Sequence, residues 1–354
     1  ESYMDGWWDC LALDELFRRL LTSGANNVSH SPLQSGLQRL GHWLFNRQNL
    51  HRSTRVARQH YDLGNDLFEA MLDPTMSYSC GYWREADDLA QAQEAKLDLI
   101  CRKLQLEPGM TMVDIGCGWG GLLDYACRHY RISGVGVTLS QEQATLARER
   151  CASLPVEIRL QDYRQLEGRF DRVVSVGMFE HVGRSGFDDY FSTIRRVLKP
   201  DGVALVHAIG TMAPKGGSDA WIRKYIFPGG YTPALSETMT AVENSNLWLL
   251  DCEILRQHYG YTLAHWSERF AANRDTAVQI MGERFCKMWE FYLTMCEASF
   301  MDGTSHVFQL QLANKRDAVP ITRNYIEDEE ERLASIEKGF LDRVVGSAHM
   351  ALGN

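Results

Sequence analysis

One stretch constrains the chain more than any other: VDIGCGWGG, residues 113–121, where an apolar run turns through closely spaced glycines into a helical pattern. From about residue 107 the surroundings keep that rhythm. TMVDIG (111–116) reads as a buried strand, LLDYACRHY (122–130) as a helix and ISGVGVTL (132–139) as a second strand. SQEQATLARERCA (140–152) opens on Ser140 as an N-cap and continues in good helix formers. VEIRLQD (156–162) and FDRVVSVGM (170–178) supply strands three and four, and GVALVHAIG (202–210) supplies a fifth after a helix that ends at LKPDG. Strands alternating with helices predict an α/β fold, a doubly wound and mostly parallel sheet.

Three regions fall outside the rhythm. Residues 1–60 read as helical, with Leu33, Leu37, Leu40 and Leu44 repeating beside Arg39 and Arg47, then Arg52, Arg55 and Arg58. That pattern suits either a basic amphipathic helix lying on lipid or a helix packed on its own core with a solvated basic face. Residues 211–235 form an insertion punctuated by Gly and Pro and rich in large aromatics, longer than an ordinary connection. Residues 261–300 read as two more helices before a late strand, HVFQLQLA (306–313), and an acidic helix around 326–345 reads as a solvated face.

Composition narrows the class. No apolar run reaches the length of a spanning helix. The nine cysteines are scattered without CxxC pairs, which argues against a disulfide framework or a structural zinc site and fits a reducing cytosol. A net charge of −9 argues against nonspecific nucleic-acid binding. The sequence opens on Glu1 with no signal-peptide pattern, so its natural start is expected upstream.

The glycine turn places Gly116, Gly118 and Gly120 where the first strand meets its helix, so that a ligand can approach backbone N–H groups. A tight turn alone is the plain alternative. The turn lacks the GxGxxG register and carries Trp119, which disfavours a pyrophosphate, and hence an NAD-dependent oxidoreductase, and favours a nucleoside without phosphate such as S-adenosylmethionine. Strand two ends without the usual ribose acid, leaving Thr138 and Gln143 as its polar hands. Asp162 offers an acceptor for an exocyclic amine and Tyr163 a stacking surface, or each is a turn or core group.

In such a sheet ligands lie beyond the carboxyl ends of the strands, near the switch in strand order. Neighbouring strand tips are about 5 Å apart, so Gly116, Glu180 and His207 are expected to converge. His181 follows Glu180 directly and reads better as a helix cap than as a catalytic group.

At this point the chain resembles a family. HYDLGNDLFEAMLDPTMSYSCGYW (60–83), VDIGCGWGG, GVTLSQEQ (136–143), GMFEHVG (177–183), HAIG (207–210), YIFPGG (225–230) and HYGYTLAHW (258–266) together look like the cyclopropane-fatty-acyl-phospholipid synthases and the related mycolic acid cyclopropane synthases. ESYMDGWW (1–8) resembles the extra N-terminal domain of the phospholipid-acting branch. The resemblance implies a seven-stranded sheet of the S-adenosylmethionine methyltransferase type. It implies a small helical domain over 1–60 for lipid docking and dimer contacts, and a catalytic domain over 61–354 with insertions near 211–246 and 261–303. It also implies methylene transfer from S-adenosylmethionine to a cis double bond of a phospholipid acyl chain, in a cytoplasmic homodimer that visits the inner face of the membrane.

The base implied by that family is bicarbonate, held by groups that map onto Cys80, Glu180, His207, the main-chain N–H of Ile209, and Tyr259. Tyr78 and Ser79 would touch the cofactor, with Asp114 and Leu139 completing its set, and no metal is expected. Cys296 aligns with a cysteine regarded as reactive in the family, although its apolar helix also suits simple packing. Tyr78, Tyr82, Trp83, Trp221, Tyr225, Phe227 and Tyr231 are candidates for an acyl-chain wall whose ring faces stabilise positive charge. The runner-up activity is a methyltransferase that leaves a methyl branch or modifies another lipid. A lipid-binding scaffold is the other alternative, disfavoured because the glycine turn and Glu180 are both present.

Overall fold

A computed structural model describes residues 1–23, 65–212, 214 and 219–328. The leucine and arginine repeat of 33–58 and the acidic tract from 329 lie outside the described residues. The N-terminal segment contributes helix α1 (Leu13–Thr22), and α2 (Asn65–Met71) and α3 (Leu89–Lys103) lead into the sheet. Then come β1 (Thr111–Ile115), α4 (Gly121–Tyr130), β2 (Ser133–Thr138), α5 (Gln141–Arg150), β3 (Val156–Leu160), β4 (Phe170–Val176), α6 (Phe187–Val197) and β5 (Leu198–Thr211). The chain closes through α7 (Ala220–Tyr225), α8 (Leu235–Asn244), β6 (Trp248–Ile254), α9 (His258–Ala272), α10 (Arg274–Met281), α11 (Glu283–Met301) and β7 (Ser305–Ala313).

The described strands form one seven-stranded sheet in the order β3-β2-β1-β4-β5-β7-β6. All neighbours from β3 to β5 are parallel, and β7 runs antiparallel to both β5 and β6. The expected doubly wound sheet is therefore present, and its order reverses between β1 and β4, where a crevice opens. Strand alternation sorts the side chains by face. Val113, Ile115, Val173, Ala204 and Val206 pack with α6 and α8. Met112, Val174, Val203 and Leu205 pack with α3, α4 and α5 on the other face. Counting on by two places His207 and Ile209 on that second face, where Cys80, Tyr259, Trp266 and Tyr292 form a further, aromatic core.

Local rules account for the boundaries. Ser140 caps α5 by accepting from Gln143 N at 3.2 Å, as its position predicts, and Asp88 caps α3 through Gln91 N at 2.9 Å. The segment read as two helices over 261–300 is three: Asn273 ends α9, and Gly282, in the left-handed half of φ at +84°, separates α10 from α11. No described helix is long and apolar enough to cross a membrane.

Candidate active site

The crevice is built from strand ends. Its lining includes Tyr78, Ser79, Asp114, Gly116, Gly118, Thr138, Leu139, Gln143, Asp162 and Tyr163, ten of the eleven residues expected to hold a cofactor. Gly116 (φ +88°) stands against Met178, which a Cβ would meet at 2.8 Å, whereas a Cβ on Gly118 (φ +53°) would meet nothing within 4 Å and would project into open space. Gly120 is the exception. It turns toward Ala147 and Cys151 and serves close packing between α4 and α5 rather than the cleft.

Polar groups grade along the cleft. At the β1 end Asp114 is buried, burial lifts its carboxyl to about 7, and its Oδ1 has no hydrogen-bond partner. Beside it Lys96 reaches Ser77 Oγ at 3.2 Å and Ser79 Oγ at 3.1 Å, its ammonium lowered to about 8 by burial. At the β2 end the Thr138 hydroxyl donates to Gln143 Oε1 at 2.8 Å, which leaves the amide NH2 of Gln143 as a donor. At the β3 end Asp162 is clasped by Arg164, with Nε at 2.8 Å and Nη2 at 2.7 Å, and Tyr163 sits edge-on to Tyr190. Lys96 was not singled out from sequence, because a lysine in LAQAQEAKLDLICRK carries no local sign that its helix is buried there.

Glu180, His207, Ile209, Tyr259, Cys80 and Cys296 do not line this cleft; Cys80, Ile209, Tyr259 and Cys296 gather in the core behind it, and Glu180 joins them through Ile209 and Tyr259. The partition is Tyr78, which lines the cleft, stacks on Trp266 with centroids 5.0 Å apart, and shares a 3.0 Å hydrogen bond with the Tyr292 hydroxyl. Glu180 follows β4 on a short 3-10 turn, and its Oε1 accepts from the Ile209 N–H at 2.6 Å. Its Oε2 is enclosed and has no partner. Burial raises this carboxyl to about 7, outweighing the stabilising hydrogen bond from Ile209. Tyr259 is within electrostatic reach of Tyr78, Cys80, Cys296 and Glu180, and burial holds its hydroxyl protonated.

His207 pairs with Val176, the last residue of β4, so it stands level with the β4 tip at the final rung of the parallel ladder, while β5 itself runs on to Thr211. Its Nδ1 lies 3.1 Å from Gln309 Nε2, and burial drives its pKa well below the ordinary imidazole value. His181 lines the cleft, stands edge-on to Phe227 and is lowered to about 4 by burial, so it stays neutral at physiological pH. Cys80 is fully buried with its thiol donating to Gly81 O at 3.2 Å, and burial raises it far above the range in which a thiolate forms. Burial likewise pushes Cys296 up to about 12.

Of the aromatic candidates, Tyr78, Tyr82, Trp83, Trp221, Tyr225 and Phe227 join the core behind the cleft. Tyr231 does not. It packs with α6 and α8 and donates to both Glu237 oxygens at 2.8 and 3.0 Å, closing the first turn of α8. Trp266, Trp289, Tyr292 and Phe300, unnoticed in sequence because aromatics in a helix usually mean core, belong to the same packed cluster. Among the described residues no cluster of His, Cys, Asp and Glu has metal-holding geometry.

Residues 48–310 match the family described as mycolic acid cyclopropane synthetase. The chain is 48% identical over 310 residues to cyclopropane-fatty-acyl-phospholipid synthase of Escherichia coli (strain K12), covering 88% of this chain and 81% of that protein. It is 36% identical over 344 residues to tuberculostearic acid methyltransferase UfaA1 of Mycobacterium tuberculosis (strain H37Rv), covering 88% of this chain and 77% of that one. Its fold superposes on the mycolic acid cyclopropane synthase CmaA1 complexed with SAH and CTAB with a TM-score of 0.70 at 35% identity, over 73% of this chain and 97% of that structure.

Proposed function

The chain belongs to the mycolic acid cyclopropane synthetase family, and from that membership we propose that it transfers a methylene group from S-adenosyl-L-methionine to a cis double bond of a phospholipid acyl chain, closing a cyclopropane ring. Similarity to the Escherichia coli synthase favours the phospholipid as substrate. When bound, S-adenosylmethionine supplies an electrophilic methyl on a sulfonium, and bicarbonate supplies the base for the proton released at ring closure.

The residues fit both groups. In the cleft, the unpartnered Oδ1 of Asp114 suits the cofactor's ammonium, Gln143 suits a ribose hydroxyl, and Asp162 with Tyr163 suits an adenine. Behind it, Glu180 is the observation that carries the proposal: a carboxylate tied by one oxygen to the tip of β5, with its second oxygen enclosed and unsatisfied. Two unit charges 4 Å apart repel by roughly 4 kcal/mol at an effective dielectric near 20. A carboxyl raised to about 7 avoids much of that by holding a proton between itself and the anion. The ring faces of Tyr78, Trp266, Tyr259 and Phe300 exclude water and stabilise developing positive charge. No sulfur nucleophile is needed, in keeping with the high thiol pKa values of Cys80 and Cys296. The protein works as a cytoplasmic homodimer at the membrane surface, to which its acyl substrate is confined.

The test is incubation with S-adenosylmethionine and vesicles of cis-unsaturated phospholipid, with and without bicarbonate, followed by mass analysis of the fatty acids. A gain of one CH2 per modified chain, faster with bicarbonate, is expected. A methyltransferase that leaves a methyl branch is the second reading, and a relative named as a tuberculostearic acid methyltransferase is in keeping with it; a saturated branch adds two further hydrogens and needs a reductant. Chains of unchanged mass would remove the proposal.

A further inference from the structure

Behind His207 lies a buried polar chain that the proposed chemistry does not use. Register pairs His207 with Gln309 across β5 and β7, so both side chains share the face covered by α3. The last residue of α3, Lys103, is fully buried and reaches Gln309 Oε1 at 2.6 Å and Glu253 Oε2 at 2.5 Å, with Asp251 at 4.0 Å. Arg323 Nη2 shares the same Glu253 oxygen, at 2.7 Å. Gln311, two residues along β7, donates to the backbone oxygen of Lys103 at 2.5 Å.

Hydrogen-bond chemistry allows one arrangement of this chain. An ammonium paired with Glu253 has donors only, so Gln309 must turn its carbonyl oxygen toward Lys103. Its NH2 then faces His207 Nδ1 as a donor, at 3.1 Å. A neutral imidazole that accepts at Nδ1 carries its proton on Nε2. The two ring nitrogens diverge, so a ring with Nδ1 turned toward β7 presents Nε2 away from it, and the neighbour of β5 on its other side is β4, the strand that leads into Glu180. Among the described residues Nε2 has no hydrogen-bond partner.

We propose that Lys103 and Gln309 are positioning residues that lock His207 as an Nε2–H donor aimed at the anion beside Glu180, a role that rests on the bicarbonate reading above. The consequence is electrostatic. The Ile209 N–H is already spent on Glu180. In the other tautomer His207 would offer the anion a lone pair instead of a proton.

The test begins with ligand-free wild-type protein labelled with [15N]histidine, the His207 signals being assigned by their loss in His207→Asn. The two-bond nitrogen–proton pattern is expected to be that of Nε2–H. Gln309→Glu keeps the shape, accepts from Lys103, and demands a proton from Nδ1, so its pattern is expected to change to Nδ1–H. With that change the bicarbonate concentration for half-maximal turnover rises about tenfold or more, the scale of one hydrogen bond to a charged group, while S-adenosylhomocysteine binding is unaltered. An Nδ1–H or cationic His207 in the wild type overturns the proposal even where the variant fails to fold. So does a folded Gln309→Glu with wild-type bicarbonate dependence. Wild-type turnover indifferent to bicarbonate would instead remove the base itself, and the positioning role with it, whatever the tautomer.

Discussion

Replacing Glu180 by Gln separates what this side chain does for catalysis from what it costs the fold. Burial lifts the carboxyl from 4.5 to about 7. Between those values the folded protein binds a proton that the unfolded chain does not, so stability falls as pH rises through the window and the penalty is complete above it. At about 1.4 kcal/mol per tenfold change in proton affinity, ionised Glu180 costs the native state on the order of 3 kcal/mol at pH 8 and almost nothing at pH 4.5. Glutamine keeps an acceptor for the Ile209 N–H and cannot ionise. Its buried NH2 carries a penalty of about 1–3 kcal/mol, which is the same at both pH values and cancels in their difference. Stability of the variant minus that of the wild type should therefore grow by roughly 2–3 kcal/mol from pH 4.5 to 8 in denaturant unfolding. Turnover with vesicles should fall by about a hundred- to ten-thousand-fold, with S-adenosylhomocysteine binding retained. A stability difference independent of pH would refute the burial of this carboxyl, and undiminished turnover would refute its role.

The other residues give sharper yes-or-no outcomes. Cys296→Ala should keep kcat/KM within a few-fold, and the native thiol, pushed up to about 12, should resist alkylation at neutral pH; a large loss of turnover would restore it as a reactive group. Gly118→Ala forces an L residue to φ +53° at a cost of about 1–2 kcal/mol and puts a methyl into the cleft, so calorimetry should show markedly weaker cofactor binding. Tyr231→Phe removes a hydroxyl bonded to Glu237 and should lower stability by about 1.5–3 kcal/mol with kcat unchanged; a fall in kcat would return Tyr231 to the acyl-chain wall.

Legibility tracked how local each cause is. The turn at 113–121 was readable because an apolar strand, positive-φ glycines and a helix start are all short-range features, and the parallel sheet followed from their repetition. Edge strand β6 was not. WLLDCEI is largely exposed, with Trp248 and Leu249 facing solvent, and lacks the alternation that marks a half-buried strand. His207 does stand level with the β4 tip, but β5 runs on past it to Thr211 in its pairing with β7, something only register decides. Lys96 and Lys103 look like the solvated side of an amphipathic helix until the loop at 77–79 and strand β7 close over them. One signal of this buried chain is present in the sequence: Gln309 and Gln311, two apart in an otherwise apolar strand, place paired amides on one buried face, which requires partners.

The central claim is that a methyl carbon leaves sulfur, joins the alkene and then gives up a proton within reach of Glu180. S-adenosylmethionine carrying a fully deuterated methyl tests this directly, with cis-unsaturated phospholipid vesicles as acceptor. The account predicts a ring carbon that keeps two of the three deuterium atoms; a product that keeps all three contradicts it.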